Sequence, residues 1–217
     1  MKIGILGATG PAGRGLAARL ANVGMKVYAG SRDLARAEAT VKQLLDRFGD
    51  RVAGIEPAEN AEVAKVAEVV IIGTAAQATV TTAAEHAAAL AGKPVVSMAN
   101  AMKRVGSSFE PVPVHEGSIA AAVQAAAPEA LVAAALHHVP ASAFAALDRP
   151  MRGDVVVVSD HLEALRATQA LVSAMPDLRP LDGGPLANAV GLEAFCAVLL
   201  TVNLRYGGKA TLQLMPT

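Results

Sequence analysis

The stretch Ile3-Gly4-Ile5-Leu6-Gly7-Ala8-Thr9-Gly10-Pro11-Ala12-Gly13 decides the fold. A short apolar run, residues 3–6, ends in glycines at 7, 10 and 13, and a helix-like segment, 14–22, follows at once. Strand, tight turn and helix in that order make a cradle for a dinucleotide pyrophosphate. Gly7 lets the chain turn sharply, Gly10 lets backbone approach the phosphates, and Gly13 lets the helix pack on the strand. The free N–H groups at the helix N-terminus then face the anion. The spacing is G-x-x-G-x-x-G, because Thr9 holds the usual middle-glycine place. Pro11 suits a first helical position.

The next apolar segment, 26–29, runs into Gly30-Ser31-Arg32. A site for NAD usually carries Asp or Glu here, bound to the ribose 2′-hydroxyl. This chain offers a hydroxyl and a guanidinium instead. A carboxylate would repel a 2′-phosphate, whereas an arginine binds it through parallel donors. Hydrogen bonds to a charged group contribute roughly 1.5–3 kcal/mol each, so together they would favour NADP over NAD by on the order of tenfold to a thousandfold. Asp33 is expected to cap the helix over 34–48 rather than face the ribose.

Over half of the 217 residues are apolar, with no Trp and two Tyr, so the core is aliphatic. Lys plus Arg equals Asp plus Glu at 19 each, and a balanced surface gives no reason to expect nucleic acid or an anionic membrane. Cys196 is the single cysteine, which excludes an intrachain disulfide and a cysteine-rich metal site; its apolar neighbours point to packing. The first strand begins at residue 2, so no targeting peptide is expected, and the chain is read as soluble and cytoplasmic.

Strand and helix patterns alternate further on. Strands are expected at 51–55, 69–73, 94–98, 131–136 and 154–159, and helices at 78–91, 118–127, 161–174 and 188–206. Segment 98–117 is irregular and reads as a loop over a ligand cleft. Segment 178–186 reads as turn-rich. Apolar strands separated by helices predict an α/β fold with a doubly wound, mostly parallel sheet of Rossmann type, helices on both faces.

In such a sheet, ligands bind beyond the carboxyl ends of the strands. The candidate residues are therefore Thr9 and the glycines, Ser31-Arg32, Thr74-Ala75-Ala76, Ser97-Met98-Ala99-Asn100 and His137-His138-Val139-Pro140. Few of these donate a proton near neutral pH. The Tyr-x-x-x-Lys pair of short-chain dehydrogenases is absent, since Arg32 follows Tyr28 and Ala210 follows Tyr206 at that spacing. His137 and His138 are adjacent, and on a strand they would face opposite ways, which argues against a metal site. One imidazole either meets a ring edge or is a core residue; Asn100 either binds a ligand or holds a turn. Hydride transfer between two cofactors needs only alignment and suits such a site.

Gly7–Gly13, Gly30-Ser31-Arg32, Ala135-Leu136-His137-His138-Val139-Pro140-Ala141 and Arg179-Pro180-Leu181-Asp182-Gly183-Gly184-Pro185-Leu186-Ala187-Asn188 resemble the F-420-dependent NADP oxidoreductase family. The resemblance spans essentially the whole chain. It implies reversible hydride transfer between nicotinamide C4 of NADP(H) and C5 of the deazaflavin coenzyme F-420. It implies a dinucleotide-binding domain over 1–150 and a small helical C-terminal part, 151–217, that completes the deazaflavin pocket. Thr9, Ser31 and Arg32 would hold NADP, while Ser97, Met98, His137 and Val139 would lie near the stacked rings. Gly183 to Leu186 would line the pocket from the C-terminal side. The full expected cofactor-binding set is Gly7, Thr9, Gly10, Pro11, Ala12, Gly13, Ser31, Arg32, Thr74, Ala75, Ser97, Met98, Ala99, Asn100, His137, Val139, Pro140 and Leu186. No catalytic side chain and no metal ligand is expected. Ala8, Pro11-Ala12, His138 and Gly183 depart from residues common in the family. Small-molecule cofactors are the expected partners, with no nucleic acid and no membrane. The apolar stretch 191–204 is expected to pair two copies as a homodimer. Two alternatives share the first motifs: an NADP-binding sensor, and another NADPH-dependent reductase acting on an imine or a metal chelate.

Overall fold

The computed structural model describes residues 1–208 and 210–215. In chain order the elements are β1 (Lys2–Leu6), α1 (Pro11–Asn22), β2 (Lys26–Ser31), α2 (Leu34–Phe48), β3 (Ile55–Glu59), α3 (Asn60–Val66), β4 (Val69–Ile72), α4 (Ala76–Glu85), α5 (Ala87–Leu90) and β5 (Pro94–Ser97). There follow β6 (Met102–Val105), β7 (Ser108–Pro111), α6 (Ile119–Ala126), β8 (Leu131–Ala134), α7 (Ala141–Phe144), β9 (Gly153–Ser159), α8 (Leu162–Ser173), β10 (Leu178–Asp182) and α9 (Ala189–Tyr206). Short 3-10 turns occupy Gly49–Val52 and Leu186–Asn188.

Eight strands form one sheet in the order β10-β9-β8-β5-β4-β1-β2-β3. All neighbours pair in parallel except β8 with β9. The order reverses between β1 and β4, and a doubly wound sheet opens its ligand crevice at that point. Alternate side chains feed two cores. On one face Ile3, Ile5, Val69 and Ile71 pack under α1, α2 and α8. On the other Leu6, Val70 and Ile72 pack under α3 to α6. Strands buried on both faces read as continuous apolar runs, which is why β4, Val-Val-Ile-Ile, was legible without its partners.

Local chemistry sets the ends of α2 and α6. Asp33 caps α2 by accepting the Arg36 N–H at 3.3 Å, and Ser118 caps α6 by accepting the Ala121 N–H at 3.0 Å. Pro11 is the first residue of α1, where its missing N–H costs nothing.

Four expectations need correction. Residues 51–55 are not a strand; the Gly49–Val52 turn intervenes, with the Arg51 guanidinium donating to Asn22 Oδ1 at 2.8 Å and Asp148 Oδ1 at 2.7 Å, and the strand starts at Ile55. The 98–117 segment is not a plain loop. It contains the antiparallel hairpin β6–β7, turned at Gly106 and held on α9 where the Phe109 N–H donates to Thr201 Oγ1 at 2.8 Å. The turn-rich 178–186 segment begins as β10, paired to β9. The 78–91 helix is broken at His86 into α4 and α5. The C-terminal part therefore adds two strands to the sheet as well as its helices. The 151–217 boundary ends outside the described residues.

Arg19 of α1 is buried and ties α1 to the segment after β8. Its guanidinium donates to the carbonyls of Phe144, Leu147, Ala143, Ala146 and Arg149, at 2.6–3.4 Å. These carbonyls lie at and beyond the α7 C-terminus; those of Ala143 and Ala146 also accept the Ala146 and Arg149 N–H groups, while Phe144, Leu147 and Arg149 O find no backbone donor among the described residues. Arg19→Met keeps the aliphatic bulk and removes every donor. It should lower unfolding stability by about 2–4 kcal/mol in urea titration. An unchanged midpoint would show that water serves those carbonyls equally well.

Candidate functional site

The chain leaves β1 through Gly7, whose φ is +79°, a conformation that side chains resist. Ala8 N–H donates to Gly30 O at 2.8 Å, which ties this turn to the end of β2. Helix α1 starts so close behind that a Cβ at Gly13 would lie 2.9 Å from Ala8 Cα and 2.9 Å from Gly7 O. No side chain caps α1. Among the described residues, nothing accepts from the N–H groups of Ala12 and Gly13. A helix end with bare donors and a favourable dipole is an anion site.

Beyond this turn lies a crevice of about 280 Å³. It is lined by Gly7, Thr9, Gly10, Ser31, Arg32, Arg36, Asn60, Gly73, Thr74, Ala75, Ala78, Thr81, Thr82 and Glu85. Seven of the expected residues thus converge: Gly7, Thr9, Gly10, Ser31, Arg32, Thr74 and Ala75. Arg36 was not among the expected residues; it stands in the first turn of α2, four residues after Arg32. Asn60, Thr81, Thr82 and Glu85 were missed as well, because they arrive from α3 and α4 with no local signature. Among the described residues, neither Arg32 nor Arg36 makes an ion pair with a carboxylate. Two guanidinium groups against Glu85 leave the lining net positive.

The remaining expected residues do not line this crevice. Pro11, Ala12 and Gly13 form the start of α1 behind the turn. Ser97, Met98, Ala99 and His137 are buried at the carboxyl ends of β5 and β8, with Asn100 half-buried beside them. His137 Nδ1 lies 3.1 Å from Ala99 O, so it must carry the proton and donate. Asn100 Nδ2 donates to His137 O at 2.9 Å. That leaves Ser97 Oγ, Asn100 Oδ1 and His137 Nε2 buried without partners. Buried polar atoms are normally satisfied, so three of them without partners around two strand ends are a departure from the usual pattern. Val139 and Pro140 border two small clefts, one of them shared with Cys196, Leu199 and Asn203 of α9.

The histidines are not on a strand. β8 stops at Ala134, Leu136 takes a φ of +65°, and the turn that follows lets both imidazoles border the same small cleft. His138 Nε2 is 2.7 Å from Asp154 O and is spoken for; His137 Nε2 is not. Burial lowers the pKa of both, and His137 falls to about 4, with the neighbouring His138 adding to the effect. Leu186 lies in the core. Because β9 and β10 run opposite to β8, the chain after β10 returns beside the sheet, where Leu186 N–H donates to Asp160 Oδ1 at 3.0 Å. Gly183 is pressed on Val156 and Val158. Cys196 is buried, and burial beside Glu193 pushes its thiol up to about 12, so it is a packing residue. Among the described residues no cluster of His, Cys, Asp and Glu could hold a metal.

A family described as coenzyme F-420-dependent NADP oxidoreductase matches residues 2–101. The F-420-dependent NADP reductase of Methanocaldococcus jannaschii is 34% identical, the alignment covering 97% of this chain and 96% of that protein. The protein of the same name from Methanothermobacter marburgensis is 32% identical over 94% of this chain and 93% of its own. A crystal structure from an Arthrobacter species, proposed to be an F-420-dependent NADP-reductase, superposes with a TM-score of 0.85 at 27% identity, each chain fully covered.

The native state holds His137 neutral down to about pH 4, whereas an unfolded histidine titrates near 6.5. Between those values the unfolded chain binds more protons. Stability should therefore be full above about pH 6.5 and fall as pH drops toward 4, by up to about 1.4 kcal/mol per pH unit for this one group. Urea titrations at several pH values should show a shallower acid slope for His137→Asn than for the parent. Equal slopes would mean that His137 is not held neutral.

Proposed function

This chain belongs to the F-420-dependent NADP reductase family, and on that premise we propose that it catalyses reversible hydride transfer between NADP(H) and coenzyme F-420. The observation that carries this reading is the pairing of bare helix N–H groups with Arg32 just after β2 and Arg36 in the first turn of α2, neither of them in an ion pair among the described residues, with no acid at the last position of β2. When both cofactors are bound, a hydride passes between nicotinamide C4 and deazaflavin C5, with one proton taken from or returned to solvent.

The protein's part is to bind, align and exclude water. In this reading the Ala12 and Gly13 N–H groups donate to the pyrophosphate, and the turn at Gly7, Thr9 and Gly10 lies against it. Ser31, Arg32 and Arg36 take the 2′-phosphate. Thr74 and Ala75 border the path toward the rings. His137 Nε2 and Asn100 Oδ1 accept from ring-edge donors, and the Ser97 hydroxyl serves the same edge. Met98, Ala99, Val139 and Pro140 supply apolar wall. Pro11 and Leu186 act from beneath, through packing. Residues 151–217 complete the deazaflavin side. No side chain needs to transfer a proton, which matches the lack of acids and bases near neutral pH among these residues.

A cytoplasmic homodimer is part of the proposal. The span Leu186–Tyr206, which contains α9, is long and apolar enough to cross a membrane by length and composition, and 28% of its 18-residue apolar window is buried. Two observations support docking to protein instead. Glu193 is buried on α9 and accepts the N–H groups of Ile119 and Ala120 at 2.8 and 3.0 Å. The same helix packs on the β7 hairpin strand. Val190, Phe195, Val198 and Leu204 remain exposed along α9, apolar surface that a second copy would cover.

Mixing the purified protein with NADPH and oxidised F-420 should bleach the deazaflavin absorbance, with NADH much slower. Absence of bleaching from neutral to alkaline pH would overturn the assignment; activity confined to imines or metal chelates would favour another reductase. Arg32→Ala should weaken NADPH binding by about tenfold or more and leave NADH little changed. In sedimentation the parent should run as two chains and Phe195→Glu/Val198→Glu as one. A parent that runs as one chain would remove the dimer.

A further inference from the structure

Asn60 opens α3 at the end of β3 and is buried, with 5% of its surface exposed. Its Oδ1 accepts the Gly7 N–H at 3.1 Å. A backbone N–H only donates, so the atom facing Gly7 is fixed as the oxygen, and the amide nitrogen is the end left over. Among the described residues Nδ2 finds no acceptor, yet it is not sealed from solvent. The residue lines the same crevice as Ser31, Arg32 and Arg36. The neighbouring strand makes room for it. A Cβ at Gly30 would lie 2.6 Å from Asn60 Oδ1 and 2.7 Å from Ile5 O, so the end of β2 carries a glycine where the carboxamide passes. Asn60 therefore bridges the turn after β1 and the end of β2, which Ala8 N–H already ties together through Gly30 O.

We propose that Asn60 is a positioning and specificity residue for the dinucleotide: Oδ1 fixes the Gly7 turn, and Nδ2 donates to the 2′-phosphorylated ribose end. The proposal rests on reading the crevice as the NADP site. Its chemistry explains why a neutral amide stands here. An aspartate would accept from Gly7 N–H equally well, but it would aim a negative charge at a phosphate and accept from a ribose 2′-hydroxyl, as acids do in NAD sites. Asn60 thus supplies at the end of β3 what the missing acid at the end of β2 only permits.

The test is Asn60→Asp, which keeps the acceptor and removes the donor, beside Asn60→Ala, which removes both. Titration with NADPH and NADH alone, followed by nicotinamide fluorescence or calorimetry, reads the result without F-420. Asn60→Asp should lose about tenfold or more in NADPH affinity and far less in NADH, so that the preference between them shrinks. Asn60→Ala should weaken both cofactors, because the Gly7 turn loses its support. The NADPH-to-NADH ratio is a property of the folded fraction, so lowered stability in a variant does not mask it. An unchanged ratio in Asn60→Asp, or an equal loss for both cofactors, overturns the proposal. A parent protein that binds neither cofactor overturns the NADP reading itself, and this inference with it.

Discussion

Helix α1 lies so close behind the turn after β1 that position 13 has no room for a side chain. Everything at the site follows from that closeness. It brings two unpaired backbone donors to the edge of the sheet, beside the gap where strand order reverses. It needs Gly7 in a left-handed conformation and a turn held from outside, by Gly30 O on one side and Asn60 Oδ1 on the other. A carbonyl from β2 and a side chain from α3 thus fix the shape of a loop that belongs to β1. The phosphate cradle is the meeting point of three consecutive β-α units.

The two halves of the candidate site are built differently. One is an open, net-positive crevice. The other is buried small-residue packing at the ends of β5 and β8, with three buried polar atoms unpartnered among the described residues. A buried polar atom without a partner costs about 1–3 kcal/mol, and three of these lie close together here. Two devices hold that side in position. Arg19 fastens the segment after β8 to α1, and Glu193 fastens α9 to the start of α6. Both are ionisable side chains bound to backbone groups at or near helix ends. Burial raises the Glu193 pKa, while the two N–H groups of α6 oppose that rise.

Much of this was written in short windows of sequence. The glycine turn, the proline at the head of α1, the Asp33 and Ser118 caps and the apolar strands all depend on residues within a few positions of one another. So did the distinction between an acid and Ser31-Arg32 at the end of β2. Those features fixed the fold class and the location of the crevice. What failed lay at a distance. The 98–117 hairpin is short and polar and is held by α9, some ninety residues on. β10 has Pro180 in it and becomes a strand only because β9 is beside it. The histidines were placed on a strand that ends three residues earlier.

The sequence by itself determined a doubly wound sheet and the chemistry of its first two turns, because hydrogen-bond periodicity and backbone sterics act over a few residues. Only the tertiary structure decided that Asn60 holds Gly7 across fifty-three positions, that Arg19 reaches the segment beyond α7, and that β9 turns back against β8. Those contacts come from the packing of elements against one another. No local pattern encodes them, since the partner is chosen by the fold.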